Sequence, residues 1–444
     1  MMPKISKLER LLRGALFILI ACLPLYLLRF NIGSLPSTAL EVMVWMVFIL
    51  WFACMFVIPD KHREAMRDPE STISGSRISR FARFRDDIYT HWPLSLGILL
   101  LIITGTVSIF IAPDLRAAAG LWKAYIIEPL ALFIVFLTTF KKEDAPKIIF
   151  ALSLTALATS VFAIYQKFTG FGIPNPYWAA EETRRVTSVW GFPNAVGLFL
   201  APLVPLFVWR IVSSVIPDPA KRGSGIHQFL DPGSRVASRR LSGMTFYYYL
   251  LVILSSLLAI IFAKSTGALV GLAAALIITG ILYKKTRIAT IALTTLGAIL
   301  VLTAPQLASV KQELLMQNYS GRIRRDMWAE SIELLSEHPI LGTGLSSYKE
   351  VIQRYRIDKW IEIFEYPHNI ILNFWIELGA LGVLAFILIF YWLFKTTRAA
   401  PALLAAFAVI LIHGLVDVPY FKNDLAVQFW LLAALCYNTR TYER

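Results

Sequence analysis

The chain has 444 residues, 57% of them hydrophobic and 16% charged, with a formal net charge of +14. A soluble domain of this length carries more charge and fewer long apolar runs, so the excess of Lys and Arg is the signature of cytoplasmic membrane-protein loops, not of nucleic-acid binding. The three cysteines, Cys22, Cys54 and Cys436, all lie in apolar runs, where they read as small buried hydrophobes and exclude a disulfide framework or a Cys-based metal site.

In chain order the apolar runs predict an all-α, polytopic helical membrane protein with about twelve spans, near 11–28, 40–58, 92–112, 120–140, 147–166, 193–213, 246–263, 266–283, 287–304, 369–394, 399–416 and 425–437. Lys4, Lys7, Arg10 and Arg13 precede the first run without a small-residue cleavage site after it, so it reads as an uncleaved span. Basic residues then recur in alternate connections: 59–91 (Arg63, Arg67, Arg77, Arg80), 141–147 (Lys141, Lys142, Lys147), 214–243 (Lys221, Arg222, Arg239, Arg240), 284–287 and 395–398. The positive-inside rule places these connections and both termini in the cytoplasm. The chain divides into 1–304, holding the first nine spans and an external arginine loop at 167–192, a helical external loop at 305–368, and the last three spans at 369–444.

The opposite side then collects the chemistry. Within 305–368, Ile323, Trp328, Ile332 and Leu335 recur at helical spacing until Pro339, Gly342-Thr343-Gly344 makes a turn, and a second helix is expected at 346–358. Such a pair would roof a cavity or rest on headgroups. Arg184 and Arg185 offer two planar forks of donors suited to a diphosphate, or ion pairs to Glu181 and Glu182. Arg322 heads a second external cluster with Arg324 and Arg325, or faces solvent beside Asp326 and Glu330. Lys264, at a tight external turn, adds positive charge to an anionic site or snorkels to headgroups.

His368 stands where a polar segment enters the tenth span, as a general base or an interfacial histidine. Asn369, Asn373 and Glu377 follow at i, i+4 and i+8, forming one stripe that faces the protein interior rather than lipid. His413 and Asp417 share a helix face, so Asp417 is placed to orient a histidine, bind an acceptor or pair with Lys422. Glu128 enters the fourth span from the external side. There is no Walker A loop, no zinc-spaced His/Cys cluster and no Asp-x-Asp clamp, so neither cofactor nor metal is expected, and leaving-group charge falls to arginine.

The order Ser320-Gly321-Arg322…Trp328…His338-Pro339-Ile340-Leu341-Gly342-Thr343-Gly344…His368-Asn369…Glu377-Leu378-Gly379 resembles the signature of the O-antigen ligase and polymerase superfamily. Arg185…Pro193-Asn194 is similar to its upstream arginine motif, and His413-Gly414-Leu415-Val416-Asp417 to its C-terminal segment. The resemblance implies a membrane glycosyltransferase of the C type in the inner membrane. Such an enzyme moves a glycan from undecaprenyl diphosphate to a lipid or glycolipid acceptor at the periplasmic face. Lipid A-core is the acceptor for a ligase, and a carrier-bound repeat unit for a polymerase. The size of the external loop favours the ligase. By matching position Arg185 and Arg322 would bind diphosphate, and His368 would be the base or a donor-binding residue. Many members carry Ser-Arg where this chain has Ser265-Thr266, so Lys264 substitutes or fewer groups hold the phosphate. A transporter of a lipid-linked anion would instead show an internal repeat and midplane charges, and a non-catalytic assembly subunit would tolerate change at His368 and Arg185.

Overall fold

The computed structural model describes residues 7–33, 35–56, 91–215 and 232–440. A helix lies at each of the twelve expected segments: Lys7–Ala21, Ala39–Phe56, Trp92–Ile111, Leu115–Thr139, Ala145–Thr169, Asn194–Ser213, Pro232–Phe262, Thr266–Leu282, Arg287–Thr303, Ile370–Thr396, Pro401–Gly414 and Asn423–Arg440. Six described helices are long and apolar enough to cross a bilayer, and a bent pair makes a seventh. Ala39–Met55, Thr266–Leu282 and Pro401–Gly414 are equally apolar but shorter. The chain is a polytopic helical membrane protein.

Local chemistry sets the helix ends. The Asp114 carboxylate accepts the Arg116 and Ala117 amides at 2.9 Å, capping the fourth helix. The fifth helix stops at Gly170, whose φ of 70° is left-handed. The fourth helix carries a π-helical turn at Lys123–Ile127. The ninth helix has no buried residue and stands at the rim, packed on the eighth. It bends by 90° at Pro305 into the external segment.

The tenth helix packs chiefly on the third, the eighth on the eleventh, and the twelfth on the fourth. Between them lies an aromatic core of Phe374, Phe386, Phe390, Tyr420 and Phe429, with ring centroids 4.5–5.8 Å apart. Inside a bilayer, helices associate through such packing and interhelical hydrogen bonds rather than through exclusion of water. Large apolar side chains such as Phe110, Leu254, Leu276 and Leu293 face outward, as a lipid-contacting surface requires.

Several boundaries differ from the sequence reading. The first segment is helical only to Ala21 and continues as a 3-10 turn, Leu23–Leu27, because Pro24 at its start lacks an amide hydrogen. An antiparallel hairpin, Arg29–Ile32 with Leu35–Thr38, precedes the second. The seventh helix begins inside the expected 214–243 loop. The helix expected at 346–358 reduces to Tyr348–Val351 and a 3-10 turn, Ile352–Tyr355. Most of the basic 59–91 loop and residues 216–231 lie outside the described residues.

The expected turn at Gly342-Thr343-Gly344 is present and enters a break in the tenth helix. Gly379, with φ 73°, interrupts the helix. The Thr343 amide donates to the Ile376 carbonyl at 2.7 Å, and the Ala380 amide to the Ile340 carbonyl at 2.9 Å. The backbone groups that the break frees are thus satisfied by the external loop.

Candidate active site

Four connections at one end of the bundle supply a hydrogen-bonded chain of polar groups. Its centre is Asp417, buried just after the eleventh helix. One carboxylate oxygen accepts from the Val418 amide at 2.9 Å and meets His368 Nδ1 at 3.2 Å. The other accepts from Asn194 Nδ2 at 2.8 Å. Asn194 Oδ1 in turn accepts from Arg185 at 3.2 Å. Base candidate and guanidinium therefore belong to one network, linked through Asn194 and Asp417.

The scaffold holds each group by its backbone. Arg185 Nε donates to the Ala263 carbonyl at 3.1 Å, and the Arg185 amide to the Trp178 carbonyl at 3.0 Å. His368 sits at φ 49°, a left-handed conformation unusual for a side chain with a Cβ. Trp328 Nε1 holds the preceding Pro367 carbonyl at 3.1 Å, and Phe364 packs edge-on against the imidazole at 5.1 Å. Asn369 caps the tenth helix through the Ile371 and Leu372 amides, while its own Nδ2 reaches the Leu415 carbonyl at 3.1 Å. The two segments that carry His368 and Asp417 are thereby pinned together.

Electrostatics follow from this packing. Burial pushes the Asp417 carboxyl up, but the charge and hydrogen bond of His368, with His413 and Arg324, outweigh it and hold the group well below the usual carboxylate range. An ionised carboxylate only accepts, so His368 Nδ1 carries a proton toward Asp417, which leaves Nε2 as the ring nitrogen free to address a substrate. Burial lowers the Arg185 guanidinium's pKa, and the positive charge of Arg324 adds to the effect.

Arg324, which the sequence reading named only as a member of the Arg322 cluster, is the one that reaches this network. Its Nε donates to the Val416 carbonyl at 2.9 Å, beside Asp417. Arg322 is exposed, with its guanidinium 5.8 Å from the Tyr319 ring. Two residues along helix Tyr319–Glu337 turn the side chain by roughly 200°, so the Arg322 and Arg324 side chains leave opposite faces. The signal that finds Arg324 is its four-residue spacing from Trp328, which touches the His368 loop.

The other expected residues are dispersed. Arg184 is taken up by the Ala179 and Lys167 carbonyls, both at 3.0 Å, and fastens its own loop. Neither arginine's described partners include Glu181 or Glu182. Lys264 is exposed, and it is its carbonyl, not its ammonium, that meets Arg185. The Thr266 hydroxyl donates to Glu313, on the helix that follows the bend. Asn373 and Glu377 are buried in the protein interior, as their stripe required. Glu128 belongs to a separate cluster, accepting from Trp45 Nε1 at 2.9 Å with Lys123 at 4.0 Å. His413 is buried with its ring against Gly267, and Asp417 orients His368 instead. Lys422 is not among Asp417's described ion pairs, and its ammonium lies over the Phe192 ring at 3.5 Å.

No curated protein matches the chain. The family model Wzy_C, O-Antigen ligase, matches residues 250–387, which contain Arg322, Arg324, His368 and Glu377 but not Arg185 or Asp417. Over that stretch the protein carries a domain of the O-antigen ligase superfamily.

Proposed function

We propose that the protein is an O-antigen ligase: it moves an oligo- or polysaccharide from undecaprenyl diphosphate to an acceptor hydroxyl on lipid A-core. The carrying observation is the Arg185–Asn194–Asp417–His368 chain, which joins an anion-binding guanidinium to an oriented imidazole. Its loops are those opposite the basic connections. This supports an inner-membrane location with the reaction on the periplasmic face.

In this reading His368 Nε2 removes the acceptor proton while Asp417 holds the ring and stabilises the imidazolium. The acceptor oxygen attacks the anomeric carbon from the side away from the diphosphate. The bond to the diphosphate oxygen breaks, with inversion. Arg185 and Arg324 meet the departing charge, which makes the transfer independent of a divalent cation. General-base help contributes roughly 10²–10⁴-fold, and the paired guanidiniums stabilise charge where it develops.

The test uses purified protein, a defined lipid-linked glycan and chelator, with lipid A-core and a second lipid-linked glycan offered as separate acceptors. Glycosylated lipid A-core should form with chelator present, and His368→Ala should lower the rate by about 10²-fold or more. Product only on the second lipid-linked glycan assigns the site to a polymerase. Undiminished turnover by His368→Ala removes the base.

A further inference from the structure

Lys422 lies in the segment between Asp417 and the twelfth helix, and among the described residues no ion pair accounts for it. Its nearest opposite charges act through space: Asp424 and Asp417 both stabilise the ammonium. Each is already engaged, Asp417 by His368, Asn194 and the Val418 amide, and Asp424 by Trp190 Nε1 at 3.0 Å and the Leu425 amide at 2.9 Å. Arg29, from the external hairpin, adds a like charge. Among the described residues no carboxylate lies within 4.0 Å of the ammonium. What it touches is the face of Phe192, which replaces part of its hydration without neutralising it. Phe192 stands two residues before Asn194, so the loop that carries Arg185 also carries the platform for Lys422. Burial lowers the ammonium's pKa to about 8. A partly desolvated cation without a counter-ion in contact favours an incoming anion.

We propose that Lys422, seated on Phe192, is a phosphate-binding residue of this site, a third cation beside Arg185 and Arg324. The proposal rests on the glycan-transfer reading above and adds a group to it. A lysine is a mobile point charge, so it can settle on a phosphate oxygen of the bound donor and hold it unchanged through the reaction, while the two guanidiniums stay fixed on backbone carbonyls. The phosphate comes from the polyprenyl donor or from a phospholipid headgroup, and the binding experiment separates the two.

Geranylgeranyl diphosphate binding is measured by titration calorimetry on purified protein in a non-phospholipid detergent, then in nanodiscs of phosphatidylglycerol. Lys422→Gln should weaken binding in detergent by about tenfold or more, and Lys422→Arg should recover most of it. Wild-type affinity should fall as pH rises through about 8, where the ammonium loses its proton, and Lys422→Arg should shift that fall to higher pH. In turnover Lys422→Gln should raise the donor KM with a far smaller change in kcat, which a merely structural lysine would not do. Equal affinity of wild type and Lys422→Gln in detergent overturns the proposal. So does an affinity difference confined to competition by phosphatidylglycerol, which would make the phosphate a headgroup. A wild type that binds no diphosphate overturns both this and the transfer reading, whereas binding that ignores Lys422 overturns this one alone.

Discussion

In the proposed transfer His368 acts as base only with its tautomer and direction fixed, and Asp417, 3.2 Å from Nδ1, is placed to fix both. Asp417→Asn keeps the shape but removes the charge that stabilises the imidazolium. Its kcat should fall by roughly 10²–10⁴-fold with donor KM little changed, as read from steady-state transfer assays. An equal rise in KM would mean that Asp417 holds substrate instead. The two arginines of helix Tyr319–Glu337 give a second prediction. Arg324→Ala removes a guanidinium beside Asp417 and should cost donor affinity about tenfold or more, whereas Arg322→Ala, exposed over Tyr319, should stay within about twofold. The reverse ranking in donor binding would restore Arg322 to the site. His368 and Asp417 stand at helix–loop boundaries and Arg185 in the external loop before Asn194, all places that the sequence marks as candidates; that the three share one hydrogen-bonded chain emerges only from the fold. Arg324 was named only as part of the Arg322 cluster, because the Ser320-Gly321-Arg322 motif singles out Arg322 while helical phase decides which guanidinium faces inward.

The break in the tenth helix shows what an element contributes. Gly379 at φ 73° and Gly342 at φ 69° face each other's backbones: a Cβ on Gly379 would stand 2.3 Å from the Ile340 carbonyl oxygen, and one on Gly342 2.3 Å from that of Ile376. Neither oxygen can retreat, since each accepts a hydrogen bond across the junction. Gly379→Ala therefore combines a backbone conformation essentially reserved for glycine (φ 73°, ψ −176°), about 1–3 kcal/mol, with overpacking of about 1–3 kcal/mol. The thermal unfolding midpoint should drop clearly, and transfer should fall with it, because this helix begins two residues after His368. A variant with wild-type melting and turnover would mean that the docked turn is dispensable. Sequence gave the turn through its glycines and the helix through its apolar run. It could not give their union, because a glycine in an apolar span reads as packing until the partner carbonyl is seen. The short helix at Tyr348–Val351 has a similar cause. Side chains of 346–358 turn to pack on helix Tyr319–Glu337, where Tyr348, Ile352 and Tyr355 join Met327, Leu334 and Leu335, and tertiary contact outweighs propensity.

Across the whole molecule, apolar run length and loop charge carried most of the information: a helix occupies each expected segment because a bilayer accepts little else. Less legible was which helices lie at the centre. The ninth segment is apolar enough to read as a span yet has no buried residue, while the twelfth, shorter in its apolar run, is packed almost throughout. Hydropathy reports transfer out of water, and lipid and protein interior are equally apolar solvents for a leucine, so periodicity loses its contrast. Orientation rests on charge bias alone and makes the most exposed prediction. Trp360, 97% exposed, lies in the loop that leads to His368, and Lys285 lies in the basic turn after the eighth helix. Of the native thiols Cys54 and Cys436 are buried and Cys22 is half-buried, so a Cys22→Ser background suits labelling of single Trp360→Cys and Lys285→Cys variants. A membrane-impermeant maleimide applied to intact spheroplasts should modify the first and reach the second only after lysis. Because the loops of His368, Arg185 and Arg324 are joined by hydrogen bonds at one end of the bundle, labelling in the opposite order would turn the entire site to the cytoplasm, where a glycan already carried to the outer leaflet cannot reach it.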